Sequence, residues 1–246
     1  MCGAYFLQHS PALREHFGIA SPDDLKDFLG DGMDLDPKRL FASAAAGTNS
    51  PMETRVFRPT DRVPFLAHDR HGQWTGFMAT WWLALDRKGD TWRPNQRFAT
   101  FNSRIDKVLS GGRSIHTMKP QSFRVVLPAT GFVEWHNRQP HLFTRADGLA
   151  MLLGGMAKAY PTPEGHQYAV SIVTLPGHDK TRHIHEKSIP LLLDDALMAH
   201  WLDRSLPHAD FAYLLQPHIP VDLDIQPVSD LNRRESAGER QSVRAD

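Results

Sequence analysis

The sequence has one cysteine, Cys2, in 246 residues. That excludes an internal disulfide framework and fits a reducing compartment. With no second cysteine and no HExxH motif, the ligand spacing of a zinc site is missing, and neither a metal nor another cofactor is expected. No run approaches the roughly 18 apolar residues that span a bilayer, so no membrane association is expected. No basic segment followed by an apolar run opens the chain, and the expected location is cytoplasmic rather than secreted. Charge of one sign is missing too, with 28 basic residues against 28 acidic. Nothing therefore draws the whole protein to nucleic acid, and any DNA contact must come from a local patch. Internal repeats and linker-like shifts in composition are also absent. What remains, 41% hydrophobic and 23% charged residues, is an ordinary globular chain able to bury one substantial core.

The local pattern predicts mainly strands. Ser-Pro pairs open two candidate helices at 10–17 and 21–29, where serine caps and proline takes the first helical position. Residues 31–55 read as a long loop or insertion. Strand signals follow at 63–69, after a His71-Gly72 turn in WTGFMATWWLAL, and at 98–103, 123–127, 131–136, 141–145, 149–155 and 167–174. Ala146-Asp147-Gly148 has the composition of a hairpin turn. Residues 194–203 and 207–215 are amphipathic at helical spacing, and a last strand is expected at 221–228. From Asp230 the chain is polar and mixed in charge, which predicts a tail without regular structure over 230–246. The expected architecture is one α+β domain, 1–229, with a mostly antiparallel β core and peripheral helices.

Cys2 follows the initiator methionine, and a small second residue permits removal of that methionine. The result is an N-terminal cysteine, a thiol two carbons from an α-amine. Reference pKa values of about 7.7–8.0 and 8.5 leave both nucleophiles partly deprotonated near neutrality. Such a 1,2-aminothiol condenses with an aldehyde to a thiazolidine, or serves in acyl transfer with its own amine as base. Alone, the residue is better read as an incidental second codon, and only a matching set of residues downstream favours the chemistry.

Four further stretches carry polar groups in suggestive places. In FNSRIDKV, Asn102 and Arg104 share one face of a strand end, where an amide suits an amine or sugar hydroxyl and a guanidinium suits a phosphate; a polar turn is the plain alternative. In LPATGFVEWHN, Phe132 and Glu134 share one strand face while Val133 and Trp135 share the other. A buried carboxylate there gains acid–base character, whereas an edge strand would leave it solvated. VTLPGHDKTRHIHEKSIPLLL holds His178, His183 and His185, and a single catalytic imidazole is more economical than a metal pair. Trp81-Trp82 face opposite ways if extended, so one is a candidate stacking platform for bases, although tryptophan usually belongs to a core.

Taken together, these stretches resemble the SRAP (SOS response-associated peptidase) family, proteins that sense abasic sites in single-stranded DNA. The resemblance spans residues 2 to about 203 in motif order. It begins with Met1-Cys2-Gly3 and continues through Phe57-Arg58-Pro59-Thr60 with Val63-Pro64, then Trp81-Trp82-Leu83. Asn102-Ser103-Arg104, Pro128 to Trp135, Thr174-Leu175-Pro176 and Ile184-His185 complete it. It implies that Cys2 is the nucleophile of a thiazolidine DNA–protein crosslink, with Asn102, Glu134 and His185 around it. It further implies Arg104, Lys187 and Thr174 toward DNA and one of Trp81, Trp82 or Trp135 for stacking. A monomer acting on abasic single-stranded DNA, nucleoid-associated when bound, is expected, with lyase-type chemistry and a peptidase activity confined to exposing Cys2.

The chain departs from the family pattern at Ala4, where arginine usually follows MCG. It also departs in the segment 184–190, one residue longer than IHxRMP and carrying Lys187 for arginine, and at Gly154-Gly155-Met156-Ala157, which lacks the tryptophan of AGLW. Two other classes stand beside this reading. An N-terminal-cysteine amidotransferase would need an Asn-Gly oxyanion element, and no Asn-Gly dipeptide occurs. A non-catalytic single-strand-binding module would not need Cys2, Asn102, Glu134 and His185 together.

Overall fold

A computed structural model describes residues 2–7, 55–68, 74–110, 112–119, 122–231 and 233–246. The helices expected at 10–17 and 21–29, the insertion 31–55 up to residue 54, and the His71-Gly72 turn lie outside them. In chain order the strands are β1 (Ala4–Leu7), β2 (Arg55–Phe57), β3 (Arg62–His68), β4 (Trp74–Thr80), β5 (Leu85–Lys88), β6 (Thr91–Pro94) and β7 (Asn102–Arg104). A short helix α1 (Ile105–Leu109) precedes β8 (Ser122–Ala129), β9 (Gly131–His136), β10 (Gln139–Arg145), β11 (Met151–Thr162) and β12 (Gly165–Pro176). Then come β13 (Ser188–Pro190), β14 (Leu192–Leu193), helix α2 (Asp195–Leu202), a 3₁₀ segment His208–Leu215, β15 (Leu223–Asp230), β16 (Glu235–Ser236) and β17 (Gln241–Val243). The fold is α+β with a β-rich core.

The long hairpin β11–β12 organises it. β11 pairs with β8 on one side and with β12 on the other, while β12 returns through β4 and β3 to β8. These five strands close on themselves, a barrel whose interior is filled by side chains such as Phe65, Val125, Leu127, Leu153 and Val170. Closure requires close strand contact. A Cβ on Gly155 would overlap the Leu127 side chain, so this stretch of β11 is kept free of side-chain bulk.

A second sheet runs β2–β1–β9–β10–β15, with β16 and β17 both on β15. β8 passes into β9 across Thr130, whose N–H donates to the Phe6 carbonyl, so the two sheets are joined at the end of β1. β1 lies between β2 and β9 and is buried along its whole length. The N-terminal strand is therefore a central strand, and this fixes the residue before it.

Several expectations are revised. Residues 74–85 do not form one strand: Trp81 N–H turns back to the Asp61 carbonyl and Trp82 N–H to the Thr80 carbonyl, ending β4 at Thr80. Ala146-Asp147-Gly148 is a turn, with Gly148 at φ 73°, yet no hairpin, because β10 belongs to one sheet and β11 to the other. Residues 207–215 wind as a 3₁₀ helix because the buried anchors Phe211 and Leu214 are three apart, matching its period.

The tail from Asp230 is not an unstructured one. Gln241–Val243 pairs with Leu223–Ile225, and Asp246 takes the Ile219 N–H at 2.8 Å, His178 Nε2 at 3.0 Å and Lys180 Nζ at 2.8 Å. Its polar residues find partners in the tertiary structure that composition does not reveal.

Candidate active site

Cys2 is fully buried. Its thiol donates to the Ala4 carbonyl at 3.4 Å, and its own carbonyl accepts from Asn102 Nδ2 at 2.8 Å, across one hundred residues of sequence. Asn102 comes from β7, which pairs with β12 beside Ile172. The other amide atom, Oδ1, is buried with no hydrogen-bond partner among the described residues. Glu134 reaches the same place from β9, whose register against β1 sets Val133 opposite Ala4. His185 lies over Glu134, with Nδ1 3.8 Å from Oε2. It comes from the loop after β12, which turns at Gly177, where a Cβ would overlap the Glu186 carbonyl. Only glycine lets that loop fold back onto β9.

Burial governs the protonation states. Glu134, 2% exposed, is pushed up to about 7 by desolvation, with the chain's α-ammonium opposing the shift. Burial, then the Glu134 charge, raises the Cys2 thiol far above its ordinary value. His185 is lowered to about 4, first by desolvation and then by the α-ammonium and Lys187. At neutral pH the 3.8 Å contact thus joins a half-titrated carboxylate to a neutral imidazole, and is not an ion pair. The resting thiol is protonated, and Glu134 is the group placed to exchange protons near neutrality. No group of three His, Cys, Asp or Glu that could hold a metal ion occurs among the described residues.

The sequence model of the SOS response associated peptidase (SRAP) family matches residues 1–233. The chain belongs to the SRAP family. This SRAP chain also shares its fold with solved structures of low identity. One protein from Bordetella bronchiseptica is 18% identical, with 93% of this chain and 100% of that one covered at a TM-score of 0.63. A protein from Bacteroides thetaiotaomicron is 20% identical over 74% of this chain and 85% of its own, TM-score 0.58. A phage-related protein from Bordetella bronchiseptica is 16% identical, covering 96% and 99%, TM-score 0.54. No curated protein sequence matches the chain.

In this SRAP domain Cys2, Asn102, Glu134 and His185 come together. Arg104, Thr174 and Lys187 meet next to them, lining a cavity of about 110 Å³ with Leu215. Arg104 is solvent-facing and bonded to Asp106 at 3.0 Å. The Thr174 hydroxyl is buried without a partner among the described residues.

The tryptophans behave differently from the stacking role expected of them. Trp81 and Trp82 are buried, the first donating to the Phe101 carbonyl at 2.7 Å and the second to the Asn95 carbonyl at 2.9 Å. Trp81 also meets Tyr5 edge-on at 5.1 Å, so it holds both β1 and the residue preceding Asn102. Neither ring has a face left for a base. Trp135 packs with Val133 and Phe6, on the face of β9 opposite Phe132. His178 and His183 bind Asp246 and Gln241. Tyr5, Gly177 and Asp246, which position the site, carry no sequence signal beyond ordinary strand, turn and tail composition.

Proposed function

We propose that the protein captures abasic sites in single-stranded DNA by forming a thiazolidine with Cys2 once Met1 has been removed. The observation that carries this reading is the burial of the Cys2 thiol beside a carboxylate, Glu134, that titrates near 7. A simple binding module has no use for so costly a group. The α-amine of Cys2 adds to the C1′ aldehyde of the ring-opened deoxyribose. Water then leaves to give an imine. The thiol adds across the C=N bond, sulfur to carbon and the proton to nitrogen, and one water is released in all. Glu134 donates the proton that lets water depart and, as carboxylate, receives the thiol proton. Asn102 keeps the Cys2 carbonyl in place, and its unused Oδ1 is an acceptor for the exposed amine. His185, neutral, relays a proton at the sugar.

Arg104 and Lys187 supply cations for the flanking phosphate, and the Thr174 hydroxyl an additional donor. The peptidase activity is confined to the removal of Met1, and lyase-type cleavage is the outcome when the imine is not closed by sulfur. Incubation with abasic single-stranded DNA followed by a denaturing gel tests the reading. Cys2→Ala is expected to abolish the heat-stable crosslink while leaving an imine that borohydride traps. A stable crosslink from Cys2→Ala overturns it.

A further inference from the structure

At the other end of the barrel from Cys2 lies an open groove of about 760 Å³, a size that takes a nucleotide. Its walls are the start of β8, the turn of the β11–β12 hairpin and the segment following α2. On β12, His166 is six residues from Ile172, the partner of Asn102, or about 20 Å along a strand. The groove is thus separate from the thiol site. Arg124, Arg204, His166 and His208 line it, and no Asp or Glu does.

The positive charge there is only partly compensated, Asp203 acting on Arg124 through space. Arg124 donates to the carbonyls of Trp201, Asp203 and Leu206 and to His208 Nδ1, with no carboxylate among these partners. The neighbouring carboxylate, Asp203, is held by the Ser205 N–H at 2.8 Å and hydroxyl at 2.6 Å. Burial depresses the cations around the groove; at Arg124 the attraction of Asp203 then outweighs the repulsion of Arg204, whereas Arg124 lowers His208 and Lys119 helps to bring Lys158 down to about 8. An anion entering would relieve that repulsion. Arg204, exposed, sets its guanidinium 5.7 Å from the Phe123 ring centroid, a cation–π pair that offers stacking area. The Ser122 hydroxyl, also on the wall, is buried without a partner among the described residues.

We propose that this groove is a second binding site for a nucleoside phosphate, the phosphate held between Arg204, His166 and His208 and the base laid on the Arg204–Phe123 pair. The ligand is either a free nucleotide or a nucleotide within a DNA strand, and the two differ in size rather than in the chemistry recognised. The site does not depend on the Cys2 reaction.

Fluorescence polarisation with a labelled oligothymidylate lacking abasic sites tests it, with thymidine monophosphate as competitor. Wild type and Cys2→Ala are expected to bind the probe alike. Arg204→Glu and His166→Glu, both at exposed positions on different elements, each weaken binding by about ten-fold or more. The salt slope becomes shallower by about 0.7 for each phosphate that a variant no longer neutralises. Competition by the monophosphate identifies a free-nucleotide site, and probe binding without competition identifies a strand site. No binding by the wild type, or binding by both charge-reversal variants as tight as that of the wild type, overturns the proposal, as does loss of binding in Cys2→Ala. Failure of abasic crosslinking with probe binding intact would count only against the thiazolidine reading.

Discussion

Replacing Glu134 by glutamine removes the ionisable group while retaining its shape, and the consequence for stability has a definite sign. The unfolded carboxyl titrates near 4.5 and the folded one near 7. Between those values the folded protein keeps a proton that the unfolded chain has released, so stability falls as pH rises through the window. Below about 4.5 the contribution is complete, and above about 7 it is gone. The whole shift corresponds to roughly 3 kcal/mol, most of which falls between about pH 5 and pH 8. His185, lowered to about 4, stays neutral in that interval and does not blur the difference. Urea denaturation of both proteins at a series of pH values is the assay. The stability of Glu134→Gln minus that of wild type should grow by about 2–3 kcal/mol from about pH 5 to pH 8. A flat difference would mean that Glu134 ionises as a solvated carboxylate does, and the acid–base role built on its burial would fall with it.

Trp81→Phe keeps an aromatic ring but loses the indole donor to Phe101, whose carbonyl still accepts from Ile172 N–H, and the smaller ring leaves a cavity, so the change should cost about 1–3 kcal/mol. If Trp81 acts through Asn102, intact-mass kinetics of crosslinking should slow in parallel, whereas a stacking role would show as weaker DNA affinity at unchanged rate. Asp246→Asn should lower thermal stability and raise hydrogen exchange in residues 178–185, since it loosens His178 and Lys180; unchanged protection there would refute the idea that the tail holds that segment. Binding of abasic DNA should weaken steeply with salt, with a slope near about −0.7 per phosphate neutralised by Arg104 and Lys187. A salt-insensitive affinity would assign the grip to stacking instead.

Much of this protein is legible from its residues. Alternation of apolar and polar side chains locates β3, β8, β9, β10, β12 and β15 to within a few residues, because the period of two is a local property of a half-buried strand. The motif order starting at Cys2 points to the SRAP family, and the same alternation assigns Glu134 and Trp135 to opposite faces of β9. What local pattern does not contain is pairing between distant segments. The contact of Asn102 with Cys2 exists because β1 is inserted between β2 and β9 while β7 lies along β12. The Trp81-Trp82 pair is core because the chain leaves the sheet at Thr80, a choice made by the Asp61 and Thr80 carbonyls. The tail is ordered because a neighbouring edge strand and two basic side chains receive it. The order of residues determined which chemical groups this protein has and which strand face carries them. Only the tertiary structure decided which of those groups lose water, and it is that loss that moves Glu134 to about 7, the range in which a carboxylate can exchange protons near neutrality.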